Sequence, residues 1–131
     1  MGAVTALLYL ERDKIISSAV FDSPFKSFKS LIEDMANKKT KVPGLVLSAA
    51  LKIMDGTVRE KGKFSLYDID PFKKAPSITI PAFFIVGIED EIIPYEHTSD
   101  LFEAYAGDDK IIKMVNGYIF SLLRGHNDMR P

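Results

Sequence analysis

Three short apolar runs, each closed by turn-forming residues, constrain the fold of this chain more than any other feature of its sequence. The runs are Ile15 to Phe21, Pro81 to Val86 and Lys110 to Val115. Asp22-Ser23-Pro24 closes the first run, an acidic loop follows the second, and Asn116-Gly117 ends the third. Runs of this length that are rich in β-branched and aromatic residues are typical of strands in a parallel sheet. We therefore predict three strands, and we expect the first two to be buried on both faces.

Helical patterns separate these runs. Met1 to Leu10 is apolar on nearly every side, which is typical of a helix packed inside a protein. Apolar residues recur at spacings of three and four in Phe25 to Ala36, in Gly44 to about Met54, and in Glu96 to Tyr105, whereas Asp55 to Lys74 shows no period. Alternating helices and strands build parallel sheets under right-handed crossovers, so we predict an α/β fold with flanking helices.

Composition narrows the possible class of protein. The 131 residues include 47% hydrophobic residues, which favours one globular domain over residues 1–131. Lys and Arg number 17 against 18 Asp and Glu, so we expect no nucleic acid and no membrane partner. The chain has no cysteine, and its longest apolar run, Ile78 to Ile88, is shorter than the roughly 20 residues that span a bilayer. A cytoplasmic location fits these observations.

The loops after the three predicted strands carry side chains suited to acid–base chemistry. They contain Asp22, Asp90 and His126, respectively. Because parallel sheets bind ligands beyond the carboxyl ends of their strands, we expect these loops to lie near one another. An acid that orients a histidine supplies the acid and the base of a catalytic triad, whose third member is the nucleophile.

At this point the chain resembles the C-terminal half of an α/β-hydrolase, in the serine hydrolase group that includes prolyl-oligopeptidase-like and serine aminopeptidase-like members. Four segments carry the resemblance. Met1-Gly2-Ala3 is similar to the tail of a Gly-x-Ser-Met-Gly nucleophile elbow, and Val20 to Phe25 is similar to the strand end before a lid. Ile80 to Gly87, with Asp90 and Ile93-Pro94, is similar to the strand and loop of the triad acid, and Gly125-His126-Asn127 is similar to the segment of the triad histidine.

The resemblance implies a role for each matching residue. Asp90 would be the triad acid, His126 the general base, and Met1 the residue whose backbone nitrogen contributes to the oxyanion hole. Asp22 is a fallback acid, although a capping turn also explains it. The resemblance further implies a helical lid over about residues 25–74. With two histidines and no cysteine we expect no metal site, and we expect no cofactor.

The nucleophile is the main departure from the family pattern. The serine would stand immediately before Met1, and the early strands of the family's sheet would also precede it. We therefore expect a fragment whose parent protein hydrolyses esters or amides of small molecules or peptides. The chain alone would have negligible activity.

A second departure lies between the third strand and the histidine. Tyr118 to Arg124 stands where the family has a short glycine turn, and deleting it would leave Val-Asn-Gly-Gly-His-Asn-Asp. The segment places large apolar side chains in a loop that should be polar. We interpret residues 118–124 as an aberrant insert, and a retained in-frame intron would account for it.

Other interpretations of the sequence stay open. The chain could be a non-catalytic interaction module or pseudo-enzyme fragment that associates with itself through an exposed sheet edge. Asp68-Ile69-Asp70 resembles a phosphotransferase motif, although a capping turn is the simpler explanation. Ser23 is a weak candidate for a replacement nucleophile, and His97 is expected on the surface at the start of a helix.

Overall fold

A computed structural model describes residues 1–13, 15–39 and 41–117 of the chain. The helices are α1 (Gly2–Leu10), α2 (Phe28–Lys39), α3 (Gly44–Gly62), α4 (Pro71–Lys74) and α5 (Tyr95–Ala104). The strands are β1 (Ala19–Asp22), β2 (Ala82–Gly87) and β3 (Lys110–Val115), and two 3₁₀ turns span Leu66–Asp68 and Ala75–Ser77. The predicted α/β order of elements is confirmed.

The three strands form one parallel sheet in the order β1-β2-β3. Phe21 lies beside Phe84, which in turn lies beside Ile112. The third strand has the bounds that the sequence predicts, and the second is shifted by one residue. The first strand begins only at Ala19, so the predicted start at Ile15 is too early.

The prediction that β1 is buried on both faces is wrong. Phe21 is fully buried, whereas Val20 on the opposite face is 70% exposed. In the described part of the chain, the residues that contribute to the main core lie on the Phe21 side of the sheet. Because α1 and α5 pack on that side, successive residues of β1 alternate between core and solvent.

Aromatic rings fill the core between the sheet and the helices. The ring of Phe84 lies 5.0 Å from that of Phe21, 5.4 Å from Tyr105 and 5.6 Å from Phe102. The Tyr105 hydroxyl donates to the Ile80 carbonyl at 2.8 Å, and burial raises the pKa of this phenol to about 12. The ring cluster thus fixes α5 on β2 while its one polar group keeps a hydrogen bond.

Helix α1 packs only one of its sides into the described part of the protein, whereas its apolar sequence predicts a helix packed inside on nearly every side. Val4, Leu7 and Leu10 are buried, at spacings of three residues. Tyr9 lies on another side, is half exposed and donates its hydroxyl to Asp13 at 2.9 Å. The described residues therefore bury one face of α1 and leave the remainder accessible.

Helix α3 continues well beyond its predicted end at Met54 and reaches Gly62. The reason is that Asp55, which we expected in an aperiodic segment, is a buried residue with partners. Its Oδ1 accepts hydrogen bonds from the Ser65 hydroxyl and the Leu66 amide, each at 2.7 Å, and its Oδ2 pairs with Arg59 at 2.7 Å. The carboxylate thereby joins α3 to the turn that follows it.

The two aspartates of the Asp68-Ile69-Asp70 motif cap short helical turns. Asp68 accepts from the Ser65 amide at 3.4 Å while Ser65 accepts from Tyr67, which is a capping box. Asp70 is the N-cap of α4 and accepts from the Lys73 amide at 3.2 Å. The capping-turn interpretation is confirmed, and it accounts for both carboxylates without phosphoryl transfer.

Candidate active site

Asp90 lies in the loop between β2 and α5, where two backbone amides fix one of its carboxylate oxygens. Oδ1 accepts from Ile92 at 2.8 Å and from Ile93 at 3.0 Å. The Asp90 amide donates to the Gly87 carbonyl at 3.3 Å, which closes the turn directly after the strand. Over the described residues, Oδ2 has no hydrogen-bond partner. The loop therefore holds a partly buried carboxylate in a fixed orientation, and one of its oxygens is available to accept a hydrogen bond.

The carboxyl ends of the three strands meet beside this loop, as predicted. The amide of Ile88 donates to Val115 at 2.9 Å, which joins the end of β2 to the end of β3. The amide of Ser23 donates to Ile85 at 2.9 Å, which joins the end of β1 to β2. Gly117, with a φ of 86°, turns the chain away from β3 at this edge. The end of β3 therefore lies next to the Asp90 loop.

The first turn of α1 is packed against the same group of loops. Val4 of α1 and Phe25, which follows β1, are buried in one apolar cluster, and Ile93 of the Asp90 loop packs against it. Met1 is the N-cap of α1 and is 69% exposed. The first amides of a helix have no partner within the helix, and they attract negative charge. The start of α1 therefore belongs to the same end of the sheet as Asp90.

Asp22 occupies the end of β1, but its surroundings differ from those of Asp90. It is exposed, and its Oδ1 accepts from the Ser23 hydroxyl at 3.0 Å. In the described ranges, no helix amide donates to Asp22, so the expected capping role is not observed. Ser23 has a φ of 48°, a left-handed conformation that turns the chain sharply into Pro24 and the buried Phe25.

His97 was expected on the surface, and that expectation is wrong. The side chain is only 1% exposed. Its Nδ1 accepts from the Lys26 amide at 3.3 Å, and its Nε2 lies 2.8 Å from Asp34 Oδ2. With both ring nitrogens occupied, His97 has no nitrogen left to act as a base. Lys26, in the loop after β1, and Asp34 of α2 contact His97 on α5, and no local sequence signal reveals these contacts.

His126, Gly125 and the suspected insert over 118–124 lie outside the described residues. Their predicted roles stay predictions. In the ranges that are described, no three His, Cys, Asp or Glu side chains converge to hold a metal ion. Those ranges also contain no helix with both the length and the apolarity to cross a bilayer.

A cavity of about 630 Å³ lies between α1 and the segment 66–74. Its walls combine the exposed side of α1 with the capping turns, and neither Asp22 nor Asp90 is among its lining residues. Paired charges occupy its rim, since Lys73 lies 3.4 Å from Asp70 and Lys74 lies 2.9 Å from Glu11. The cavity is therefore separate from the candidate active site.

Comparison with known proteins identifies relatives of the fold. No family model matches the chain. Over 119 residues it is 28% identical to the uncharacterized protein YqkD of Bacillus subtilis, covering 89% of this chain and 38% of that protein. Similar solved structures include an esterase of Pyrococcus furiosus (TM-score 0.61, 18% identity, 96% of this chain and 45% of that one). The chain is also similar to a monoacylglycerol lipase of Paleococcus ferrophilus (TM-score 0.57, 24% identity, covering 88% of this chain and 55% of that one). A further similar structure is an acylaminoacyl peptidase of Pyrococcus horikoshii (TM-score 0.64, 12% identity, covering 95% of this chain and 19% of that one). The chain thus spans well under two thirds of the length of each of these proteins.

Proposed function

The chain adopts part of the α/β-hydrolase fold, and from that premise we propose that it supplies the acid and the base of a serine hydrolase acting on ester or amide bonds. Asp90 is the acid and His126 the base. The nucleophilic serine belongs to sequence that would precede Met1. Substrates of this enzyme are small molecules or peptides.

The orientation of Asp90 is the observation that carries this proposal. Two amides hold Oδ1 at 2.8 and 3.0 Å, so Oδ2 keeps a fixed direction. A triad acid must hold one imidazole nitrogen by a hydrogen bond so that the other can take a proton. The end of β3 lies next to the Asp90 loop, which supports the proposal that His126, further along the chain, is the partner of Asp90.

The proposed mechanism assigns one step to each group. The serine oxygen attacks the substrate carbonyl while its proton passes to His126, and Asp90 stabilises the imidazolium that forms. In a protein that continues upstream of Met1, the Met1 amide at the start of α1 donates to the oxyanion. The protonated His126 then gives its proton to the departing alcohol or amine. Water, activated by the same imidazole, hydrolyses the acyl-enzyme and restores the serine.

Hydrolysis of p-nitrophenyl butyrate tests this function. We expect no turnover from the 131-residue chain. We expect turnover from a protein that begins upstream and includes an in-frame Gly-x-Ser before Met1, and loss of about 10⁴-fold to 10⁶-fold in kcat when His126→Ala is introduced. A deletion of residues 118–124 serves as the matched variant and should raise activity. Saturable hydrolysis by the 131-residue chain that His126→Ala abolishes would contradict the proposal.

The uncovered side of the sheet favours a second candidate function, self-association. On that side, Val20 of β1 is 70% exposed and Ile111 of β3 is 58% exposed, and Phe83 of β2 lies between them. Within the described ranges, β1 pairs with β2 alone, so its outer edge can accept another strand. Size-exclusion chromatography distinguishes the candidates. A dimer that Val20→Lys dissociates would support association, and a monomer at all concentrations would exclude it.

A further inference from the structure

Helix α3 presents apolar residues on two opposite sides, of which the core covers only one. Leu51 and Asp55 are the buried residues of this helix. On the other side, Leu45 is 88%, Val46 57% and Ile53 73% exposed. Leu45, Ala49 and Ile53 are spaced four residues apart, so they form one continuous stripe along the helix. A helix with an apolar stripe on its outer side lacks a partner for that side.

The charge around this stripe is strongly asymmetric. Residues 38–54 contain four lysines and no Asp or Glu, although the chain as a whole carries a formal charge of -1. Lys38, Lys41 and Lys52 are exposed. Lys52 lies seven residues after Leu45, two helical turns away on the same side. Lys41 comes just before the start of α3. Positive charge therefore precedes the apolar stripe and accompanies it at Lys52.

We propose that this surface, the α3 face, adsorbs to an anionic lipid bilayer. The α3 face comprises Leu45, Val46, Ala49 and Ile53 with the flanking Lys41 and Lys52. Apolar side chains on the outer half of an amphipathic helix enter the boundary between headgroups and acyl chains, while lysines beside them bind anionic headgroups. The helix would lie in the plane of the interface without crossing it. Although the even overall charge predicts no lipid partner, the charges are unevenly distributed, and the local excess decides binding at short range.

The same charges disfavour a second copy of this chain as the occupant. A two-fold symmetric contact through the α3 face would place lysines of one copy opposite lysines of the other. An anionic bilayer instead neutralises each lysine, and it also accepts the apolar stripe. A surface with both properties therefore fits lipid better than it fits itself. This inference does not depend on the proposed hydrolase function.

Vesicle flotation with the 131-residue chain tests the proposal. We expect binding to vesicles of phosphatidylcholine and phosphatidylglycerol mixed three to one, little binding to phosphatidylcholine alone, and release at high salt. Leu45→Ser with Ile53→Ser should lower the partition coefficient more than about tenfold by removing two apolar anchors. Lys41→Gln with Lys52→Gln should lower it by about tenfold or more.

Matched variants distinguish binding through the α3 face from non-specific adsorption to vesicles. Ile111→Ser removes a comparably exposed residue from the sheet, and Lys61→Gln removes an exposed lysine from the other end of α3. Both should bind vesicles as the unmodified chain does, and circular dichroism should show that all variants keep their helix content. Absence of binding, or an equal loss in the matched variants, would overturn the proposal. A dimer that the Leu45 and Ile53 changes dissolve, without vesicle binding, would overturn it as well.

Discussion

His97 and Asp34 form a pair in which a buried imidazole lies 2.8 Å from a half-exposed carboxylate. The pair joins α5 to α2, which are far apart in sequence. Because Nδ1 accepts from the Lys26 amide, the neutral ring carries its proton on Nε2 and donates it to Asp34. Thr98 strengthens the same junction by donating its hydroxyl to the Pro24 carbonyl at 3.1 Å. The helix that follows β1 is thus bound to the body of the fold.

Replacing His97 should destabilise the protein substantially. His97→Ala leaves a cavity and removes the acceptor of the Lys26 amide, so we expect a loss of about 2–4 kcal/mol in the free energy of unfolding. Asp34→Asn is the control, because the amide oxygen still accepts from Nε2 and the site is half exposed. Urea denaturation measures both variants. Equal, small losses would show that the buried imidazole contributes little.

Acid should weaken the junction between α3 and the turn that follows it. The hydrogen bond from Ser65, together with the Leu66 amide and Arg59, lowers the pKa of Asp55 below its usual value. A lowered pKa in the folded state stabilises the protein above the unfolded pKa, and that stabilisation is lost as pH falls through the folded value. Thermal unfolding should therefore show a decline below about pH 4 that Asp55→Asn reduces. An identical pH profile for both proteins would refute the assignment.

The two faces of the sheet should respond very differently to truncation. Phe84 is fully buried among three other aromatic rings, so Phe84→Ala should cost about 3–5 kcal/mol. Ile111→Ala, on the exposed face of the neighbouring strand, should cost less than about 1 kcal/mol. Equilibrium unfolding by guanidinium compares the two. Similar costs would mean that the outer face is covered in solution.

Two glycines give opposite predictions for the same substitution. A Cβ at Gly107 would lie 2.8 Å from the Tyr105 ring and 3.0 Å from the Ile80 carbonyl, so Gly107→Ala should destabilise by about 1–3 kcal/mol. A Cβ at Gly56, inside α3, would meet nothing within 4 Å. Gly56→Ala should therefore stabilise by about 0.5–1 kcal/mol. Melting temperatures that move in the same direction would contradict this account.

The fold was predictable where local patterns and tertiary packing agree. β3 follows its β-branched run residue for residue, and α5 is shifted from its predicted bounds by only one residue. The end of α3 was missed because Asp55 looks like a solvent-facing residue until Ser65 and Leu66 are brought to it. The exposure of Val20 was missed for the opposite reason, since an apolar residue does not reveal how many sides of its strand are covered.

The candidate site was predictable only in part. Asp90 is a candidate from its place after an apolar strand and from the resemblance, and the structure adds the two amides that orient its carboxylate. Burial of His97 depends on Lys26 and Asp34, which lie more than sixty residues away in sequence, so no local pattern indicates it. His126 stays a prediction from the resemblance.

The kcat of the N-terminally extended protein, measured with Asp90→Asn and separately with Asp22→Asn, tests the central claim most directly. We predict that Asp90→Asn lowers kcat by about 10⁴-fold, because the amide cannot hold the imidazole in the required tautomer. Asp22→Asn should leave kcat within about threefold of the unmodified enzyme, because Asp22 is exposed and its Oδ1 accepts from Ser23. A large loss with Asp22→Asn and an unchanged kcat with Asp90→Asn would contradict the account.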